Sequence, residues 1–162
     1  MLIVKFEHRT PRPLEKMVEY VYDPEKTDED CSFGIGINPR FCQDEWWVPW
    51  KIYNINPEDR AHTYVQVIVS LELMPVFLKS LWIPIFYEIG QALITDRRQV
   101  IGGIHFKGTE HVHCHYLINY LSFEGTLYRQ EHKVSYYRAK IEQVVEQAFN
   151  PILQEVSRLF RR

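Results

Sequence analysis

The stretch QVIGGIHFKGTEHVHCHYLINYLSF, residues 99–123, decides how this chain is read. Two largely apolar runs, 99–106 and 111–123, flank the short polar segment KGTE, and Gly108 supplies a turn residue. The pattern predicts two strands joined as an antiparallel hairpin. Strand side chains alternate between faces. His111, His113 and His115 therefore project to one side, with Val112, Cys114 and Tyr116 on the other. A cluster of imidazoles belongs on the face of the sheet that helices leave open, and the hairpin brings His105 within reach of it. Three converging imidazoles favour a metal of the Zn, Mn, Ni or Fe kind. Three protein ligands leave coordination positions open, as a catalytic site requires. The chain has no HExxH helix, so a zinc peptidase is not expected. Glu110 alternates away from the histidines, so a nucleophile has to come from elsewhere.

Working outward, LIVKF (2–6) reads as a first strand. TPRP (10–13) sets up a helix start, with Pro13 in the first turn. LEKMVEYVY follows with Leu14, Met17, Val18 and Val21 at helical spacing, and the helix stops near DPEKTDED (23–30). CSFGIGINP reads as a short strand or a turn. RFCQDEWWVPWKIYNI begins as a helix that Pro49 limits. HTYVQVIVSL (62–71) is a strand. PVFLKSLWIPIFYEIGQALITD (75–96) is a long apolar helix interrupted or kinked at Pro84, buried against a sheet and not a membrane span. GTLYRQ (125–130) is a turn and an edge segment, and a closing helix from Ser135 runs to the C-terminus with a possible bend at Asn150-Pro151. The expected fold is α+β, one domain over 1–162 with no further domains, its largely antiparallel central sheet packed with helices.

The 162 residues are 46% hydrophobic, enough for one real core, and the 25% charged residues leave a formal net charge of −2. A nucleic-acid binder is expected to be basic, so a DNA-binding reading has to rest on a local patch or a metal. Three cysteines, Cys31, Cys42 and Cys114, lack CxxC spacing and read as unpaired thiols in a reducing compartment. The N-terminal apolar run is too short for a signal peptide or a membrane span. A soluble cytoplasmic protein is expected.

MVEYVYDPEKTDED (17–30) supplies the candidate nucleophile. Tyrosine can attack covalently. Attack on a phosphodiester needs a cation to hold the phosphate oxygens, so a tyrosine beside a histidine metal site fits that task.

With these segments in view, the chain resembles the relaxases of plasmid and transposon mobilisation, in the His-hydrophobic-His (HUH) endonuclease superfamily. VEYVYDPEKT resembles the family's tyrosine motif, and IHFKGTEHVHCHYLIN its metal motif. TYVQVIVSL, YEIGQALI and SYYRAKIEQ are similar to its central strand, the helix before the hairpin and the helix after it. The resemblance implies metal ligands at His105, His113 and His115, although HVH (111–113) and HCH (113–115) both offer a ligand pair; with HCH as the pair, His111 stands beside the metal and can accept a proton. It implies Tyr20 as nucleophile, with Tyr22 as rival, and a divalent ion, Mn, Mg or Zn, as cofactor. The implied activity is nicking and rejoining of single-stranded DNA at an origin of transfer, alongside accessory mobilisation and secretion coupling proteins. Lys107 stands where the family carries an Asp, where it bears on the metal by repulsion. That departure supports an alternative: a relaxase domain that binds DNA or a partner without cleavage.

Lys26, Arg129, Lys133 and Arg138 are the candidate DNA contacts, with Lys140 beside them. Trp46, Trp47, Trp50 and Tyr53 stack on bases or pack in the core. Arg97 and Arg98 touch phosphate or are solvated.

Overall fold

The computed structural model describes residues 2–7, 12–72, 79–130 and 132–159, with side chains to residue 151. The expected helix start at Thr10-Pro11, the head of the 75–96 helix and the last three residues lie outside them. Five strands form one sheet: β1 (Leu2–Glu7), β2 (Ser32–Ile35), β3 (Tyr64–Leu71), β4 (Val100–His105) and β5 (Val112–Asn119). The order is β1-β3-β5-β4-β2 and every pairing is antiparallel. The helices are α1 (Leu14–Val21), α2 (Cys42–Glu45), α3 (Val48–Ile52), α4 (Lys79–Ala92) and α5 (Val134–Leu159). The α+β class and the antiparallel sheet are as the sequence predicts.

Several local expectations resolve or change. Of the two readings of CSFGIGINP the short strand is the one that forms, as the edge strand β2. The helix that begins the next segment, α2, ends at Glu45, four residues before Pro49, and Pro49 itself sits in the first turn of α3, where its missing N–H costs nothing. Pro13 lies just outside α1, where its carbonyl accepts from Met17 N–H at 3.2 Å. Both α4 and α5 run through their prolines, Pro84 and Pro151. The 125–130 segment makes one isolated bridge, Leu121 to Leu127.

The sheet is covered on both faces, which corrects the expectation of an open histidine face. Val112, Cys114, Tyr116 and Ile118 of β5 pack with Val67, Val69, Trp82, Phe86, Ile89, Tyr137 and Ile141, between the sheet and α4 and α5. Leu117 and Ile101 point the other way and pack with Leu14, Met17, Val18, Val21, Cys42 and Trp46. Strand alternation therefore puts His113, His115 and Asn119 on the α1 side. Trp46 and Trp50 are buried, so the core reading of these two holds, while Tyr53 is exposed. Trp50 Nε1 donates to Asn119 Oδ1 at 2.9 Å, and Asn119 Nδ2 donates to Gln99 Oε1 at 2.7 Å. This network ties α3 to the hairpin. Asn119 thus serves the fold.

Candidate metal centre

The β4–β5 register sets the site. His105 lies directly opposite His113, and Gly103 opposite His115. The connection turns at Gly108, whose φ of +64° suits glycine. The three rings cluster with centroids 4.5 Å (His105–His115), 5.1 Å (His113–His115) and 5.5 Å (His105–His113) apart. One nitrogen from each ring lies within 4.8 Å of the other two. Among the described residues, no other group of His, Cys, Asp or Glu side chains gathers in this way.

Each ring is held by its remaining nitrogen. His105 Nε2–H donates to the Val21 carbonyl at 3.0 Å, leaving Nδ1 for an ion. His113 Nδ1–H donates to the His111 carbonyl at 3.0 Å, leaving Nε2. His115 Nδ1 lies 3.0 Å from the side-chain amide of Gln66, and its Nε2 is buried with no hydrogen-bond partner. An orphaned buried nitrogen costs about 1–3 kcal/mol, and a coordinated ion would satisfy it. Rings oriented by outer partners are the usual support of histidine ligands. The donor set therefore fits a divalent ion.

Electrostatics favour the neutral form of His105 and His115, the form that binds metal. Burial pulls the His115 pKa down to about 3, helped by His105, His113 and Lys26. Burial also lowers that of His105, against the Val21 hydrogen bond.

Helix α1 delivers the tyrosines. Its buried stripe is Leu14, Met17, Val18 and Val21. Residues two apart on a helix diverge by about 200°, so Tyr20 and Tyr22 fall on opposite flanks of that stripe. The Tyr20 ring stands edge-on to His115 at 5.1 Å and His105 at 5.4 Å. Lys26 Nζ sits 3.9 Å above the Tyr20 ring and pairs with Asp23 at 3.4 Å. Tyr22 turns to β2, where its hydroxyl lies 3.5 Å from the Phe33 carbonyl, and burial pushes its phenol far above the usual range. Beside Tyr20 and His115 opens a cleft of about 570 Å³, with Arg12, His62, Gln66 and Gln130 in its walls.

Other expected residues are placed elsewhere. The His111 ring is exposed and stands apart from the three-histidine group; its carbonyl is what supports the site. Arg129 lines a second cavity with Leu93, Ile94 and Tyr137, residues of the α4 and α5 side. Lys133 leads into α5, and Arg138 on that helix pairs with Glu142 at 3.2 Å. Lys26 alone of the candidate DNA contacts stands at the histidines. Arg98 is buried, held by Asp96 and donating to the carbonyls of Asn119 and Tyr120, so it is neither solvated nor open to phosphate. Lys107 points away from the histidines: Nζ donates to the Pro24 and Thr27 carbonyls at 2.8 Å and pairs with Asp28 at 2.5 Å.

Gln66, Gly103 and the Val21 carbonyl were not singled out by sequence reasoning. A signal existed for the first two. Gln66 is a polar residue in the middle of a largely apolar strand. The Gly102-Gly103 pair interrupts another, and Gly103 admits a close backbone: a Cβ there would lie 2.2 Å from the Val21 oxygen.

Fold and site together define an α+β chain whose five-stranded antiparallel sheet presents a three-histidine group able to hold a metal ion. No protein-family model matches the chain, and no curated protein matches it. Among the described residues, no helix is long and apolar enough to cross a membrane.

Proposed function

We propose that this chain is a metal-dependent strand transferase of the relaxase type, nicking and rejoining single-stranded DNA at an origin of transfer. The observation that carries the reading is Tyr20, held edge-on to two of the three clustered histidines with Lys26 over its ring. In the proposed step Tyr20 Oη attacks the scissile phosphorus. The Oη–P bond forms and the P–O3′ bond breaks. The phenolic proton passes to water in the cleft, and the departing 3′-oxygen takes a proton from solvent. A 5′-phosphotyrosine and a free 3′-hydroxyl result, and the reverse attack rejoins the strand. His105, His113 and His115 would hold the divalent ion, which supplies positive charge to the non-bridging phosphate oxygens. Lys26 adds a second positive charge from the loop side. The setting would be the cytoplasm, with the mobilisation machinery as partner.

The test uses a random-sequence single-stranded DNA library with Mn²⁺. A covalent protein–DNA band on a denaturing gel is expected from the unaltered protein and from Tyr22→Phe, but not from Tyr20→Phe. DNA retention without any band would favour the second reading, a domain that binds DNA without cutting. That reading includes a domain that binds a partner and not DNA, which the net charge of −2 favours, while Lys107 at the family's Asp position favours the absence of cleavage.

A further inference from the structure

The ring that most needs an explanation is His115. It is buried, and its Nε2 has no hydrogen-bond partner. Its other nitrogen, Nδ1, meets only the amide of Gln66, at 3.0 Å. Gln66 stands on β3 opposite Leu117, next to the Ile68–His115 pair, so the strand register fixes it beside the ring. The two other rings meet backbone carbonyls, which only accept; their tautomers are thereby set, Nε2–H on His105 and Nδ1–H on His113. A glutamine amide is different. It offers an NH2 donor from one side and a carbonyl acceptor from the other, exchanged by a half-turn of its last bond.

The two orientations have opposite consequences. When Gln66 donates, His115 Nδ1 is the acceptor and the ring proton sits on Nε2, facing the other histidines. That ring cannot bind a metal. When Gln66 accepts through Oε1, the proton sits on Nδ1 and the Nε2 lone pair faces the cluster. The amide nitrogen lies nearer Nδ1 in this structure, which corresponds to the first orientation.

We propose that Gln66 is the positioning residue of the metal centre, and that its amide turns over as an ion enters, moving the His115 proton from Nε2 to Nδ1. The inference rests on the metal-centre reading of the three histidines. It makes Gln66 a two-position support, whereas a carboxylate at the same place would hold the binding tautomer permanently. Gln66 can then hold His115 Nδ1 in a hydrogen bond in the vacant cluster and still accept from Nδ1–H in the filled one.

Two measurements on the full chain test it, both at pH 8 with Gln66→Glu and Gln66→Leu. The first is ¹⁵N NMR of the histidine rings in chelator-treated protein, which needs no metal to bind. The unaltered protein is expected to carry His115 as the Nε2–H tautomer and Gln66→Glu as Nδ1–H. The same His115 tautomer in both overturns the proposal. The second is Co²⁺ titration followed by its visible absorption, with a competing chelator. Gln66→Leu is expected to weaken binding by roughly 10–100-fold, the range for lost outer partners, and Gln66→Glu to restore or tighten it. Unchanged affinity in Gln66→Leu also overturns it. If the unaltered protein takes up no Co²⁺, the metal-centre reading falls, and the tautomer contrast still decides whether Gln66 sets the His115 proton.

Discussion

The carbonyl oxygen of Val21 and the Nε2–H of His105 are joined at 3.0 Å, and this bond docks the end of α1 onto β4. Val21 is the last residue of the helix, where carbonyls lack intrahelical partners. One of them is used to orient a histidine. The approach depends on Gly103, since a Cβ there would stand 2.2 Å from that oxygen and 2.8 Å from Val21 Cγ1. Gly103→Ala is expected to push α1 off the sheet and destabilise the fold by about 1–3 kcal/mol, as overpacking does. It should also weaken metal uptake. Urea denaturation and Co²⁺ titration check the two effects; a fully stable variant would show that α1 has room to yield.

The ligand set separates three histidines from their neighbour. Replacing His105, His113 or His115 with Ala should lower metal affinity beyond the roughly 100-fold upper range for supporting residues. His111→Ala should leave it within a few-fold, because what His111 contributes is its backbone carbonyl. Elemental analysis after purification without chelator, and again after chelator treatment and Mn²⁺ readdition, measures this.

Acid should unfold the metal-free protein early. His115 is a base whose folded pKa is pulled down to about 3 by burial, from an ordinary value near 6.5. Below about pH 6.5 the unfolded chain takes up a proton at this position that the folded chain refuses. Stability is therefore fully present above that pH and is lost progressively as pH falls toward 3. His105, lowered in the same direction, adds to the slope. Denaturant midpoints from pH 8 to 4 should fall for the unaltered protein and fall less steeply for His115→Asn.

Much of this fold was legible because its signals are local. The β4–β5 hairpin followed from alternation and Gly108, and α1 from its stripe of Leu14, Met17, Val18 and Val21. The three-histidine group followed from the same alternation, His105 entering through the hairpin. What escaped depends on long-range contact. Nothing near Ser32 in sequence tells that four residues pair with β4 at the sheet edge. The cover over the histidine face comes from α1 and α2, which only the chain path brings there. Arg98 looked like a surface residue in a polar loop, yet its partners are carbonyls about twenty residues away. Gln66 acquires its meaning only from His115, 49 residues later.

Lys107 fastens the loop that follows α1. Its ammonium satisfies two loop carbonyls and pairs with Asp28, which Lys79 also holds at 2.6 Å. Asp28 accordingly keeps its carboxyl below the usual range, through its hydrogen bonds to Lys107 and then Lys79. Lys107→Asp should therefore harm this chain, by removing the donors and facing Asp28 with a like charge. A drop in melting temperature larger than that of Lys107→Met is expected. Higher stability in Lys107→Asp would show that the loop does not depend on this clasp.

Lys26 is where the DNA reading meets the geometry. Its ammonium lies 3.9 Å over the Tyr20 ring and 3.4 Å from Asp23, on the loop that Lys107 anchors. A phosphate brought to Tyr20 for attack would come within reach of that charge. Arg138 is on α5, which packs on the opposite face of the sheet and pairs it with Glu142. Each phosphate contact releases condensed counterions, and for single strands contributes about 0.7 to the slope of log affinity against log salt. Lys26→Met is expected to weaken single-stranded DNA binding and flatten that slope by about this amount. Arg138→Met, on the far face, should leave the slope unchanged. Fluorescence anisotropy of a labelled oligonucleotide, titrated at several salt concentrations, gives both numbers. Equal slopes for Lys26→Met and the unaltered protein would remove Lys26 from the phosphate path. A flattened slope in Arg138→Met would move the DNA track to the α5 side, away from Tyr20 and the histidines.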